Sequence, residues 1–129
     1  MKKYIVLIPI YNDRESLTKL IENINSEIED INSEISIVVI NDASSNQIID
    51  QYQNTENINS IEIINMKENR GHTRCIASGL KYIFEKKEFD YVIPMDGDGE
   101  DRPEEIKNLI QLAEPVSYTH LTLPTNREV

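Results

Sequence analysis

The sequence has little cysteine and glycine and no tryptophan: one Cys, four Gly and no Trp among 129 residues. A lone thiol, Cys75, cannot form an internal disulfide, and no CxxC pair exists for zinc or redox chemistry. We expect Cys75 to be a small buried residue rather than a nucleophile, because no partner base is evident. This cysteine usage favours a reducing, cytoplasmic setting. The length predicts one domain or part of one, since two halves would each bury too little core.

Basic residues and long apolar runs are also scarce. The chain has 13 Lys and Arg and 23 Asp and Glu, which gives a net charge of −10. Such a chain repels nucleic-acid backbones and anionic lipid, so we expect no nucleic-acid partner. The longest apolar run, Tyr4 to Tyr11, is far shorter than the roughly 18 residues of a membrane-spanning helix. Pro9 within it, and the lack of a small-residue cleavage site after it, argue against a signal peptide.

Two glycine-rich phosphate-binding motifs are missing. No GxGxxG follows the first apolar run, which argues against a dinucleotide site, and no GxxxxGK[ST] is present for a P-loop. A nucleotidyltransferase that makes sugar nucleotides would also need a glycine-rich loop at this point. The residues there are Pro9, Ile10 and Tyr11.

The apolar residues that are present alternate between strand and helix patterns. Helices are predicted after Asn12, a candidate N-cap with Glu15 three residues later, and after Gly71 and Pro103. A short, weaker helix is predicted near residues 47–52. Because parallel strands need crossover connections, the pattern predicts an α/β fold, with a Rossmann-like, mostly parallel sheet and helices on both faces. Buried apolar runs place the four strands at residues 4–8, 35–40, 61–66 and 91–95.

The alternation of strand and helix patterns stops after Pro115. Residues 116–129 are similar to a translated transposon-end sequencing adapter, and we interpret them as a non-native tail on a domain of residues 1–115. The alternative is a genuine edge strand with a frayed end.

The chemistry-bearing residues follow the predicted strands, at the edge of a parallel sheet where ligands bind. Asp96 and Asp98 come after the fourth strand, and residues two apart leaving a strand point the same way. Two such carboxylates suit a hard divalent cation, Mg or Mn. The alternative is a solvated glycine-rich acidic turn. A calcium EF-hand loop does not fit, because Asp101 stands where that loop needs glycine.

Asp42 and Tyr11 each allow two interpretations. The Asp42 carboxylate follows a buried strand and can either accept hydrogen bonds from a nucleobase edge or cap the next helix. Tyr11 can either stack on a base or close the core as an aromatic rim residue, which is the default for an isolated tyrosine.

The start of the helix at Gly71 is a candidate phosphate site. His72, Thr73 and free N–H groups could receive a phosphate there, and Arg70 and Arg74 would add positive charge. The alternative is an ordinary solvated helix start.

Taken together, these motifs resemble the family 2 glycosyltransferases with the GT-A fold, in particular the group similar to dolichyl- or polyprenyl-phosphate sugar synthases. Any one motif is weak, but four in family order are specific. The matching stretches are residues 8–12 with Glu15 and Leu17, residues 39–45, residues 69–79 and residues 90–106.

The resemblance implies a UDP- or GDP-sugar donor and a polyprenyl phosphate or glycan acceptor. It also implies that the acceptor half of the enzyme, with its catalytic base and any membrane-associated segments, is missing from this chain, so that the fragment alone is inactive. The full-length protein would act at the cytoplasmic face of the membrane. The alternative is a non-catalytic nucleotide-binding or interaction module of the same fold. The residues assigned to substrate are Pro9, Tyr11, Glu15, Asp42, Asn69, Gly71 and Asp96, and those assigned to metal are Asp96 and Asp98.

Overall fold

The computed structural model describes residues 2–43, 52, 54–95 and 103–113. Within these residues four strands pair in parallel in the order β3-β2-β1-β4, which confirms the predicted α/β fold with a parallel sheet. The elements along the chain are β1 (Lys3–Ile10), α1 (Arg14–Glu27), β2 (Glu34–Asn41), β3 (Ser60–Asn65), α2 (His72–Lys86), β4 (Tyr91–Pro94) and α3 (Glu104–Ala113).

Strand β1 is the centre of the sheet. It pairs with β2 from Lys3 to Ile10 and with β4 from Tyr4 to Leu7. From Tyr4 onward every residue of the strand is buried. A strand with neighbours on both edges and helices over both faces has no polar side, which is why its sequence is continuously apolar.

Helices cover both faces of the sheet, as predicted. Tyr4, Val6 and Ile8 belong to a core cluster with residues of α1 and α3. Ile5 and Leu7 belong to a second cluster with residues of α2. Because successive strand residues point to opposite faces, the two clusters lie on opposite sides of the sheet.

The start of α1 differs from the prediction. The N-cap is Asp13, whose Oδ1 accepts a hydrogen bond from the Ser16 backbone N–H at 3.3 Å, so the assignment of Asn12 was wrong. Asn12 has a φ of 52°, in the left-handed region that Asn tolerates, and it forms the turn that leaves β1. The helix ends at Glu27, and Ile31, expected within it, packs on the same core from beyond its end.

Two predicted segments lie outside the described residues. These are the short helix near residues 47–52, apart from Tyr52, and the tail at 116–129, and both stay predictions. In the part of the chain that the structure describes, no helix has the length and apolar character to cross a membrane.

Helix α2 approaches the sheet closely at Gly79. A Cβ added there would lie 2.5 Å from Leu7 Cδ1 and 3.0 Å from Ile40 Cγ1. Both neighbours are buried, so neither side chain can move into solvent. The absence of a side chain at this position therefore sets the distance between α2 and the sheet.

We expect Gly79→Val to lower the free energy of unfolding by about 1–3 kcal/mol, because the added methyl groups overpack the Leu7 site. Urea denaturation followed by circular dichroism measures the loss. Ser78→Val is the matched control, since Ser78 is exposed on the same helix and carries only the β-branched helix penalty. Equal losses in the two variants would contradict the packing argument.

Candidate functional site

The carboxyl ends of the four strands form one rim. The chain runs from β1 outward to β2 and β3, and then returns to β4 on the other side of β1. This reversal is a topological switch point, where open α/β sheets bind ligands in the crevice between diverging loops. The rim predicted from the sequence is therefore present, and its centre lies between the ends of β1 and β4.

Pro9 lies at the switch point, near the end of β1. Leu7 O accepts a hydrogen bond from the Met95 N–H at 2.8 Å, so the odd-numbered residues of β1 direct their backbone groups toward β4. Pro9 is the next residue in that series and has no N–H to donate. It lies beyond the last β1–β4 register pair, Leu7 with Pro94, so its missing donor interrupts no described ladder bond.

Two other assigned residues follow β1 and are open to solvent. The Tyr11 side chain is 53% exposed, which excludes the interpretation in which it closes the core and leaves the substrate assignment as a prediction. Its ring is open to solvent just beyond the end of β1. Glu15 is exposed in the first turn of α1, where the helix dipole favours a carboxylate.

A pair of asparagines fixes the ends of β2 and β3. Asn41 and Asn65 are the last register pair of the two strands, and Asn41 Nδ2 donates to Asn65 Oδ1 at 2.9 Å. Asn41 is buried. This amide pair holds together the starts of the two loops that follow. It was not predicted, although two asparagines at the ends of successive predicted strands were visible in the sequence.

Asp42 binds the turn before α2. Its side chain is only 4% exposed, Oδ1 accepts from the Arg70 N–H at 2.7 Å, and Oδ2 accepts from the Gly71 N–H at 2.9 Å. Asn69 Nδ2 also donates to the Asp42 carbonyl oxygen at 3.3 Å. These contacts correspond to neither sequence interpretation, base recognition or capping of the next helix. Sequence reasoning missed them because the partners lie 28 and 29 residues away.

Gly71 is the N-cap of α2 and has a φ of 90°, which a residue with a side chain rarely adopts. It makes no side-chain cap, and the first turn of α2 carries no acidic residue. The negative charge at the positive end of this helix dipole comes instead from the Asp42 carboxylate, which accepts from the Gly71 N–H. Arg70, expected to add positive charge, lies against Glu68, with Nη2 and Oε1 2.6 Å apart, and the pair is exposed.

Cys75 lies one turn into α2, under the Asp42 carboxylate. It is fully buried, as predicted, and its N–H donates to the Gly71 carbonyl oxygen at 3.1 Å. Burial, followed by the hydrogen bond to Asp42 and the charge of that carboxylate, raises the pKa of the thiol to about 12. Burial alone would raise the pKa of Asp42 as well, but hydrogen bonds from Arg70, Gly71 and Cys75 bring it below its ordinary value.

The predicted metal ligands, Asp96 and Asp98, lie outside the described residues, so their geometry stays a prediction. Across residues 2–43, 52, 54–95 and 103–113, no three His, Cys, Asp or Glu side chains group as a metal site. Met95, the last described residue before the two aspartates, still bonds to β1 through its N–H.

Asp42→Asn is expected to lower the free energy of unfolding by about 1–3 kcal/mol at neutral pH, because one buried N–H loses its charged acceptor. The pKa of Asp42 is lower in the folded chain, so the wild-type advantage is complete above about pH 4 and is lost as the pH falls through the folded-state value. Urea denaturation across this pH range measures both effects.

Asp30→Asn is the matched control. Asp30 forms an exposed ion pair with Lys107, 3.0 Å long, so its loss should lower the free energy of unfolding much less. If the loss of unfolding free energy in Asp42→Asn stayed the same in acid, the stabilising role of the ionised Asp42 carboxylate would be contradicted.

We also expect Cys75 to resist thiol reagents in the folded chain. At about pH 8, a thiol with this pKa is roughly one part in ten thousand thiolate, and the side chain is fully buried. Reaction with a chromogenic disulfide should therefore follow the unfolding rate, while the chain in guanidinium reacts as free cysteine does. Rapid stoichiometric reaction of the native chain would disprove this.

The fold and the rim define a class, the α/β domains of the GT-A type. Two crystal structures share the fold. That of S. aureus TarS 1-349 has a TM-score of 0.64 and 22% identity, and the match covers 88% of this chain and 32% of that one. That of S. aureus TarS has a TM-score of 0.65 and 23% identity, and the match covers 88% of this chain and 20% of that one. Within this class the chain belongs to Glycosyl transferase family 2, whose sequence profile matches residues 5–120.

Curated relatives within this family share one description. The chain is 31% identical over 117 residues to an undecaprenyl-phosphate 4-deoxy-4-formamido-L-arabinose transferase of Proteus mirabilis (strain HI4320), covering 88% of this chain and 34% of that protein. The transferase of the same description from Pseudomonas syringae pv. syringae (strain B728a) is 31% identical over 126 residues, with 95% and 36% coverage. The chain thus spans about a third of the length of these relatives.

Proposed function

We propose that this chain is the donor-binding part of a glycosyltransferase that transfers a sugar from a UDP- or GDP-sugar to an acceptor, with help from a divalent cation. The observation that carries the proposal is the convergence of Tyr11, Asp42 and the Asn69–Gly71 turn on one rim of a parallel sheet, beside its switch point. Family membership supports the reaction class.

The base and ribose of the donor would lie between the ends of β1 and β2. Tyr11 offers an exposed ring for stacking, and Glu15 offers an exposed carboxylate that can accept from hydroxyl groups. Pro9 and Asp42 line the buried side of this region, at the ends of their strands. The first turn of α2, after Asn69 and Gly71, presents N–H groups suited to phosphate.

The pyrophosphate would be held by Asp96 and Asp98 through Mg or Mn. Two carboxylates provide the oxygen ligands that these ions prefer. The cation would neutralise the departing nucleoside diphosphate as a Lewis acid. The net charge of −10 supports this role, because an acidic chain repels an anionic donor unless a cation lies between them.

We infer that the acceptor is a polyprenyl phosphate, with a glycan as the alternative. The curated relatives carry undecaprenyl phosphate in their descriptions. An ionised phosphate oxygen can attack without a protein base, so we assign no catalytic residue in this chain. Membrane contact, at the cytoplasmic face, would come from the part of the longer proteins that this chain does not span.

Calorimetry with UDP and GDP tests the donor site. We expect binding that strengthens with Mn or Mg, and that Asp98→Ala weakens about tenfold or more, because the cation loses a ligand. Glu105→Ala is the matched control, since it removes the same charge from an exposed position on α3 and should bind as the wild type does.

Nucleotide affinity that ignores chelation of the metal, and that is equal in both variants, would refute the metal role. Donor hydrolysis or transfer by the full-length protein supports the enzyme, whereas tight binding without either identifies a non-catalytic module.

A further inference from the structure

Strand β3 is an outer strand of the sheet, and no other strand among the described residues pairs with the edge that faces away from β2. The odd-numbered residues of β2 bond to β3, since the Ile35 and Asn41 carbonyl oxygens accept from that side. In a parallel ladder, a residue bonds to the two residues that flank its register partner. The partner of Ile37 is Ile61, so the backbone groups of Ile61 and Ile63 face outward.

An edge of this kind is a template for pairing with another chain. The strand, Ser60–Asn65, contains three isoleucines and neither proline nor glycine. All three isoleucines are half-buried, and β-branched residues favour strand pairing. Glu62 is the one charged residue in this strand.

The Glu62 side chain points inward, to α2, rather than away from the protein. Its Oε1 lies 2.6 Å from Lys87 Nζ, and its Oε2 accepts a hydrogen bond from the Tyr82 hydroxyl. Lys87 Nζ also lies 6.0 Å from the centre of the Tyr82 ring. Burial alone would raise the pKa of Glu62, but the hydrogen bonds from Lys87 and Tyr82 and the Lys87 charge bring it below its ordinary value. Glu62 is therefore ionised at neutral pH.

This ion pair keeps part of its surface in water. The Glu62 and Lys87 side chains are each 34% exposed. A second copy added to β3 would cover that exposed part, because opposite residues of paired strands direct their side chains to the same face of the sheet. Moving the two charges out of water is costly, and their mutual attraction repays the cost only when the geometry is excellent.

The symmetry of a pair of identical chains adds a second cost. An antiparallel pair centred on Glu62 would use the outward groups of Ile61 and Ile63, each opposite the other residue in the second copy. The two Glu62 residues would then form a non-hydrogen-bonded pair, the kind in which side chains lie closest. Like charges directly opposite each other destabilise such a pair.

We propose that Glu62, held by Tyr82 and Lys87, keeps the outer edge of β3 from pairing with a second copy of this chain. An inward-pointing charge on an edge strand lets the strand complete its own sheet while opposing its extension. The inference concerns a part of the molecule outside the candidate donor site, so it does not depend on the proposed function.

A double substitution that removes both charges tests the proposal. Glu62→Val/Lys87→Met keeps the net charge at −10 and makes the edge apolar. We expect it to self-associate in sedimentation velocity with a dissociation constant at least about tenfold lower than that of the wild type. Asp30→Val/Lys107→Met is the matched control, because it removes an exposed ion pair that involves α3, across the sheet from α2. Equal association of the two double variants, or none in either, would overturn the proposal.

A charge swap separates the ion pair from the shape of the side chains. Glu62→Lys/Lys87→Glu reverses the pair without removing it, and both charges stay at the edge. We expect this variant to associate no more strongly than the wild type. If it associated as strongly as the apolar double variant, charge would not be what protects the edge.

Amide hydrogen exchange followed by NMR locates the contact between copies. In the wild type, the outward N–H groups of Ile61 and Ile63 should exchange fast, whereas those of Glu62 and Ile64, which face β2, should be protected. In the apolar double variant, association should slow exchange at Ile61 and Ile63 while Glu62 and Ile64 stay protected. The proposal fails if Ile61 and Ile63 still exchange fast in the associated form. It fails equally if Glu62 and Ile64 lose protection, as they would in aggregates of the unfolded chain.

Discussion

The burial of β1 on both faces and both edges is the constraint on which the rest of the structure depends. A strand in this position needs parallel neighbours, and parallel neighbours need crossover helices, which cover the two faces. The carboxyl ends of the strands then meet at one edge. The rim is therefore a consequence of how the apolar residues of β1 are covered, and the polar residues that follow the strands are brought together there.

Much of the fold could be predicted because periodicity records which residues are buried. Four strands and three helices were found this way, with boundaries within two residues at most ends. The errors lie where one backbone angle decides the outcome. The cap of α1 is Asp13, after a left-handed Asn12, and Tyr11 is exposed; periodicity carries no information about either.

The candidate site was predicted less completely, because its contacts join distant parts of the chain. The position of Asp42 after a buried strand was visible, but its partners in the turn before α2 depend on how β2 and β3 align. Cys75 was predicted as a small buried residue, and nothing in the sequence indicated that the Asp42 carboxylate would help to raise the pKa of its thiol. Asp96 and Asp98 remain predictions from motif and position.

Several basic side chains lie beside carboxylates, which bears on how an anionic ligand would be received. Arg70, Lys87 and Lys107 lie 2.6, 2.6 and 3.0 Å from carboxylates of Glu68, Glu62 and Asp30. Asp42 is compensated by backbone amides rather than by a basic side chain. A phosphate would therefore meet helix N–H groups and whatever cation it brings, in agreement with the proposed metal dependence.

The strand order has a further consequence for how the chain is made. Strand β1 is synthesised first, yet its second neighbour arrives with β4, and the backbone N–H of Lys3 bonds to Asp90, 87 residues later. Contacts this distant in sequence close slowly. During translation, this apolar strand thus has one unpaired edge until β4 has been synthesised, and an unpaired apolar edge favours aggregation of the nascent chain.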